Sequence, residues 1–219
     1  MNLKNKKVLF LGDSITAGAA ASCEENVFHQ ILKEKLGMKE AINYGIGGTR
    51  IARQTKPSAE PVFDLDFNKR VEKMDKDADC VFIFGGTNDF GHGDAQLGNK
   101  NDETVYTFYG ALKCLYEKLI KIYGKEKIIV MTPMHRLDEE NLRGEGNKEK
   151  DMYILKTYVE VIKEVAGEYG LKIIDLFAER DLNPNYGENA KKYFSDVVHP
   201  NDAGHRLLAE IIEKKLINL

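Results

Sequence analysis

Five short apolar runs alternate along this chain with four amphipathic stripes, and that alternation restricts the fold more than any other feature. The runs cover residues 7–11, 41–44, 80–84, 127–131 and 172–176, and four of them are nearly continuous in apolar character. Such runs read as strands covered on both faces. The stripes place Val27, Ile31, Leu32 and Leu36 on one helix face and Val105, Phe108, Leu112, Leu115, Leu119 and Ile122 on a second. Leu155, Val159, Ile162, Val165 and Tyr169 form a third, and Leu207, Leu208, Ile211, Ile212 and Leu216 the last. Gly37, Gly124 and Gly170 stand just past the first three, where glycine ends a helix by taking positive φ at little cost. Strands alternating with helices predict an α/β fold with a parallel sheet wound on both faces.

The 219 residues contain no linker-like tract, so residues 1–219 are read as one domain. Net charge is −3 with both signs interspersed, which offers no electrostatic case for nucleic acid or an anionic membrane. Cys23, Cys80 and Cys114 are odd in number and lack C-x-x-C spacing, so they read as reduced thiols. Lys4, Lys6 and Lys7 precede an apolar run that stops after four residues at Gly12, short of the roughly 7–15 that a signal peptide needs. No stretch reaches the ~18 apolar residues of a membrane span, and the expectation is a cytoplasmic protein without membrane insertion.

In a parallel sheet, ligands gather outside the carboxyl ends of the strands. Polar, glycine-bearing turns follow the first three strands at residues 12–14, 45–50 and 85–89, and are expected to meet at one crevice. Loops 49–68 and 135–150 are candidate walls or lids for it. Of four serines, Ser14 alone follows a buried strand through a Gly-Asp turn; Ser22, Ser58 and Ser195 read as loop or capping residues. Asp196 and His199 are three residues apart, so one turn of helical chain would bring acid and base together. A serine hydroxyl needs such a base to become a nucleophile, and the acid fixes the imidazole tautomer. Asn88, in Gly86-Thr87-Asn88-Asp89, and the glycines of Asn43-Tyr44-Gly45-Ile46-Gly47-Gly48 could donate to a developing oxyanion. Elsewhere those residues simply make turns. His92 could line the pocket, His135 opens a loop, and His29 and His205 read as structural. Arg50 and Arg53 could meet a substrate anion, although exposed charge is their default. No histidine pair has metal-ligand spacing, the dinucleotide and P-loop fingerprints both fail, and the G-x-S-x-G elbow is absent, so neither metal nor cofactor is expected.

The four blocks Gly12-Asp13-Ser14-Ile15, Asn43 to Gly48, Gly86-Thr87-Asn88-Asp89 and Asp196-Val197-Val198-His199-Pro200 resemble, in order, those of the SGNH (GDSL) hydrolases. Ile15 replaces the family's usual leucine, one aliphatic for another. The resemblance implies a three-layer α/β/α, flavodoxin-like domain with a five-stranded parallel sheet that hydrolyses esters without a metal. It matches Ser14 to the nucleophile, His199 to the base and Asp196 to the acid, with the Ser14 and Gly48 N–H groups and the Asn88 amide as oxyanion donors. It favours short acyl groups such as O-acetyl esters of carbohydrate, a small-molecule substrate. Lysophospholipase- or thioesterase-type acyl hydrolysis is the alternative. A non-catalytic binding module would have been the reading had Ser14, Asn88 or His199 been missing.

Overall fold

The structure, a computed structural model, describes residues 1–146, 148 and 152–219. Strands β1 (Lys7–Gly12), β2 (Glu40–Gly45), β3 (Cys80–Phe84), β4 (Ile128–Met131) and β5 (Lys172–Ile174) form one sheet in the order β2-β1-β3-β4-β5. Every neighbouring pair is parallel. The helices are α1 (Ser14–Ala17), α2 (Phe28–Leu36), α3 (Phe67–Arg70), α4 (Thr87–Gly91), α5 (Phe108–Tyr123), α6 (Leu155–Glu168), α7 (Asn189–Tyr193) and α8 (Asp202–Leu216).

Alternation along the strands divides the core in two. Leu9 and Leu11 of β1, Val81 and Ile83 of β3, and Ile128 and Val130 of β4 pack against α3, α5 and α6. Val8 and Phe10, Cys80, Phe82 and Phe84, and Ile129 and Met131 pack against α2 and α8. A sheet covered on both faces makes three layers, as expected. Each large apolar side chain buried this way contributes roughly 1.5–3 kcal/mol. β2, at the sheet edge, is only half-buried.

Two element ends differ by two or more residues from their sequence-based limits. Helix α5 begins at Phe108, not near Val105, because the Thr107 side chain caps it by accepting the Gly110 N–H. β5 stops at Ile174 rather than residue 176. Beyond it the Thr132 hydroxyl accepts the N–H groups of Leu176 and Phe177, turning the chain out of the ladder. Among the described residues no helix is long and apolar enough to cross a membrane.

His29 of α2 and His205 of α8 are fully buried on the α2/α8 face, as the structural reading expected. His29 Nε2 donates to the carbonyl of Thr16 in α1 at 3.1 Å, and the His205 ring stacks on Phe28. Burial pushes both imidazoles down to about 4, so each is neutral in the fold. An unfolded histidine binds its proton near ~6.5, so these groups stabilise the fold fully above that pH and progressively less as pH falls toward 4. Buried Asp13, pushed up to about 6, works in the opposite direction, so the wild-type curve alone does not isolate them. His205→Phe does, because a constant packing cost shifts the curve without changing its slope. Between pH 7 and 4.5 urea denaturation should show the variant losing about 2 kcal/mol less stability than wild type. Identical pH slopes would contradict the assignment.

Candidate active site

Ser14 owes its position to the way β1 ends. A Cβ on Gly12 would lie 2.0 Å from Thr16 Oγ1 and 2.9 Å from the Phe84 carbonyl oxygen, so only glycine lets the chain turn here. The Asp13 carboxylate then caps α1 by accepting the Ile15 N–H at 3.0 Å, leaving Ser14 as the first helical residue. Asp13 is buried. Desolvation raises its pKa, opposed by the Ile15 hydrogen bond and the charges of His199 and Arg70.

The other two turns close on this one. Ile46 N–H donates to the Gly12 carbonyl at 3.2 Å. A Cβ on Gly45 would strike the backbone of Ala17 at 2.2 Å, and one on Gly47 would touch Ser14 Cβ at 3.8 Å. Gly48 takes φ +71°. After β3, Gly86 at φ +108° starts α4, and Asn88 Nδ2 donates to the Thr49 carbonyl at 3.0 Å. Asp89 accepts the N–H groups of Ile51 and Ala52 at 3.0 and 2.9 Å. The third turn is thereby tied to the second. Among the described residues, neither the Ser14 nor the Gly48 N–H has an acceptor. The Asn88 amide keeps one N–H beyond its anchor.

The structure brings Ser14, His199 and Asp196 together. His199 Nε2 lies 2.8 Å from Ser14 Oγ, and His199 Nδ1 lies 2.7 Å from Asp196 Oδ2. Acid and base do not share a helical turn, as their spacing had suggested. Asp196 Oδ1 accepts the N–H groups of Val198 and His199 at 2.9 and 2.7 Å, folding the segment into a carboxylate-centred turn. An antiparallel bridge from Phe194 to Pro200 closes it, and the Asn201 side chain caps α8 just beyond. Partial burial pushes the Asp196 carboxyl up, but the His199 ring and the two N–H groups outweigh it and hold the pKa below the ordinary value. The carboxylate is therefore ionised and accepts from Nδ1, which leaves Nε2 to face the hydroxyl.

Arg50, expected to be exposed or to hold an anion, is buried, and protein groups take up its ends. It donates to Ser58 Oγ, the Phe63 carbonyl, Asp64 Oδ1 and His92 Nδ1. Arg53 pairs with Asp66 at 2.9 Å. His135 contacts Glu139 and stacks on Phe177. Of the predicted loop 135–150, residues 147, 149 and 150 lie outside the described residues. Its described part, with Asp196, Val197 and Val198, lines a cavity of about 450 Å³ through Arg136, Asp138, Asn141, Gly144 and Glu145.

Arg70 was not legible in the sequence. Its guanidinium donates to the carbonyls of Gly12, Tyr44 and Leu65 and to Thr49 Oγ1, at 2.6–3.0 Å. Burial lowers its pKa to about 10, with the Asp13 and Asp66 carboxylates pulling the other way, so it is charged at neutral pH. No residue pattern marks Phe67-Asn68-Lys69-Arg70 as buried, and only the tertiary fold turns that arginine inward.

A parallel sheet whose first strand delivers a serine to a histidine–aspartate pair belongs to the α/β class and has the SGNH hydrolase architecture. Residues 10–207 match the GDSL-like lipase/acylhydrolase family, and the chain belongs to it. No curated protein matches the chain. Among solved structures, a protein from Lactobacillus plantarum is 27% identical, with 98% of each chain covered and a TM-score of 0.83. An acetyl xylan esterase is 26% identical over 95% of this chain and 98% of its own, with a TM-score of 0.65. A lipase/acylhydrolase from Enterococcus faecalis, 24% identical, shares the fold with a TM-score of 0.62 over 96% of this chain and 95% of its own.

Arg70→Met should cost at least ~3 kcal/mol, because several buried acceptors lose a charged donor at once. Urea denaturation of both proteins measures it. A loss below ~1 kcal/mol would mean that the turns hold one another without the guanidinium.

Proposed function

We propose that the chain is a serine esterase that transfers short acyl groups, acetyl among them, from a hydroxylated alcohol such as a carbohydrate to water. The observation that carries this reading is the 2.8 Å contact of Ser14 Oγ with His199 Nε2, whose other ring nitrogen is held by Asp196 at 2.7 Å. In this scheme Ser14 Oγ attacks the ester carbonyl as His199 Nε2 takes its proton. Asp196 stabilises the imidazolium, and the N–H groups of Ser14 and Gly48 with the free N–H of Asn88 meet the oxyanion. His199 then returns the proton to the departing alkoxide oxygen. Water, deprotonated by the same nitrogen, attacks the acyl-serine, and His199 returns that proton to the departing Ser14 Oγ as the acid is released. No step calls on a metal or cofactor.

Preorganisation supports the oxyanion assignment. The hydrogen bond from Asn88 to the Thr49 carbonyl fixes its amide plane before substrate arrives, so little reorganisation is needed when charge develops. A hydroxylated alcohol is supported by the hydrogen-bonding side chains of Asp138, Asn141 and Glu145 at the cavity beside Asp196, whose volume of about 450 Å³ is within the ordinary range for small-molecule sites. The similarity to an acetyl xylan esterase supports the acetyl group. Three free cysteines support the cytoplasm as its setting.

Asn88→Ala tests the scheme where a merely structural role would read differently. A donor engaged only in the transition state affects kcat and spares KM. With p-nitrophenyl acetate, kcat should fall roughly 10²–10³-fold at nearly constant KM. A folded variant with near-normal kcat would remove Asn88 from the mechanism.

A further inference from the structure

Beside the oxyanion donors stands a wall that the acyl-transfer scheme leaves unused. Phe63 rests on Gly48, where a Cβ would come within 2.3 Å of its ring. His92 follows α4, donates its backbone N–H to the Asn88 carbonyl at 3.0 Å, and sets its ring 6.1 Å from that of Phe63. Buried Arg50 joins the two from behind, reaching the Phe63 carbonyl and His92 Nδ1, each at 3.1 Å. Ser58 and Asp64 hold the same guanidinium nitrogen that meets Phe63. The wall is therefore fixed before any ligand arrives.

Arg50 also decides the state of the His92 ring. A guanidinium only donates, so Nδ1 must accept and the ring proton sits on Nε2. Burial lowers the His92 pKa; Glu145 opposes this, while Arg50, Arg136 and Lys148 reinforce it. The ring is half-buried, and its Nε2–H has no acceptor among the described residues. His92 is thus a neutral, oriented donor on the face of the wall.

Stereochemistry says which part of the substrate meets it. The departing oxygen must lie near His199 Nε2 to receive its proton, and the carbonyl oxygen must point at Gly48 and Asn88. The acyl substituent leaves the carbonyl carbon in the remaining direction, beside those donors, and Phe63, packed on Gly48, and His92, bonded to Asn88, are the side chains that adjoin them. We infer that Phe63 and His92, clamped by Arg50, wall the acyl side of the Ser14 site and select a short acyl group bearing a hydrogen-bond acceptor for His92 Nε2–H. The inference rests on the acyl-transfer reading above. Acetyl fits within the wall but leaves the donor to water; an ether or hydroxyl oxygen two atoms beyond the carbonyl carbon would engage it.

The p-nitrophenyl esters of methoxyacetic and butanoic acid have acyl chains of equal length and differ by one oxygen against a methylene. Their kcat/KM ratio in wild type, divided by the same ratio in His92→Phe, cancels the difference in intrinsic reactivity. We expect this quotient to be about tenfold, as for one hydrogen bond, with partial recovery in His92→Gln, which keeps a donor. Phe63→Ala should raise the octanoate-to-acetate ratio. If His92→Phe does not fold, by circular dichroism, His92→Ala carries the same comparison. A quotient near one, or no gain on octanoate in Phe63→Ala, overturns this inference alone. A wild type that cleaves none of these esters overturns it together with the acyl-transfer reading.

Discussion

The guanidinium of Arg70 sits between the carboxyl ends of β1 and β2 and binds carbonyl oxygens from both, together with the Thr49 hydroxyl. Carbonyls at the end of a parallel sheet have no further strand residue to pair with, and buried without partners each would cost about 1–3 kcal/mol. One buried cation answers several of them. It also draws the Gly12 turn, the glycine loop and α3 to a common point, with Asp13 beside it as counter-charge. Ser14, Gly48 and Asn88 take their relative positions from this arrangement. Through its hydrogen bond to Thr49, Asn88 is tied to the same residue that Arg70 grips.

His199 is supported in a different way. The segment around it has no regular secondary structure, yet hydrogen bonds tie it at several points. Asp196 uses one carboxylate oxygen to order the backbone and the other to hold the imidazole, and the Phe194–Pro200 bridge closes the loop onto the start of α8. A loop held by its own aspartate can place an imidazole accurately without belonging to an element. The Asp196 carboxylate therefore orders the backbone and charges the surroundings of the ring at once, and replacing it would disturb both.

Much of this was legible because its signals are local. Continuous apolar runs marked β1, β3 and β4, and glycines marked the ends of α2, α5 and α6. Ser14, Asn88 and His199 stood out because each follows a strand or precedes a helix cap. What stayed hidden depends on contacts between residues far apart in the chain. Arg70 looks like any exposed helix arginine until its carbonyl partners, up to 58 residues away, are in place. Arg50 read as exposed because its burial depends on Ser58, Phe63, Asp64 and His92 closing around it. The i to i+3 spacing of Asp196 and His199 suits a helical turn and an aspartate-centred turn equally well, and only the fold chooses between them.

Acylation of Ser14 during turnover is tested most directly by covalent labelling. The protein would be treated with a fluorophosphonate, its intact mass recorded, and the modified peptide mapped in wild type and Ser14→Ala. One adduct per chain, located at Ser14 and absent from the variant, is the predicted result. A folded wild type that takes up no label, or labelling that persists undiminished in Ser14→Ala, would contradict it.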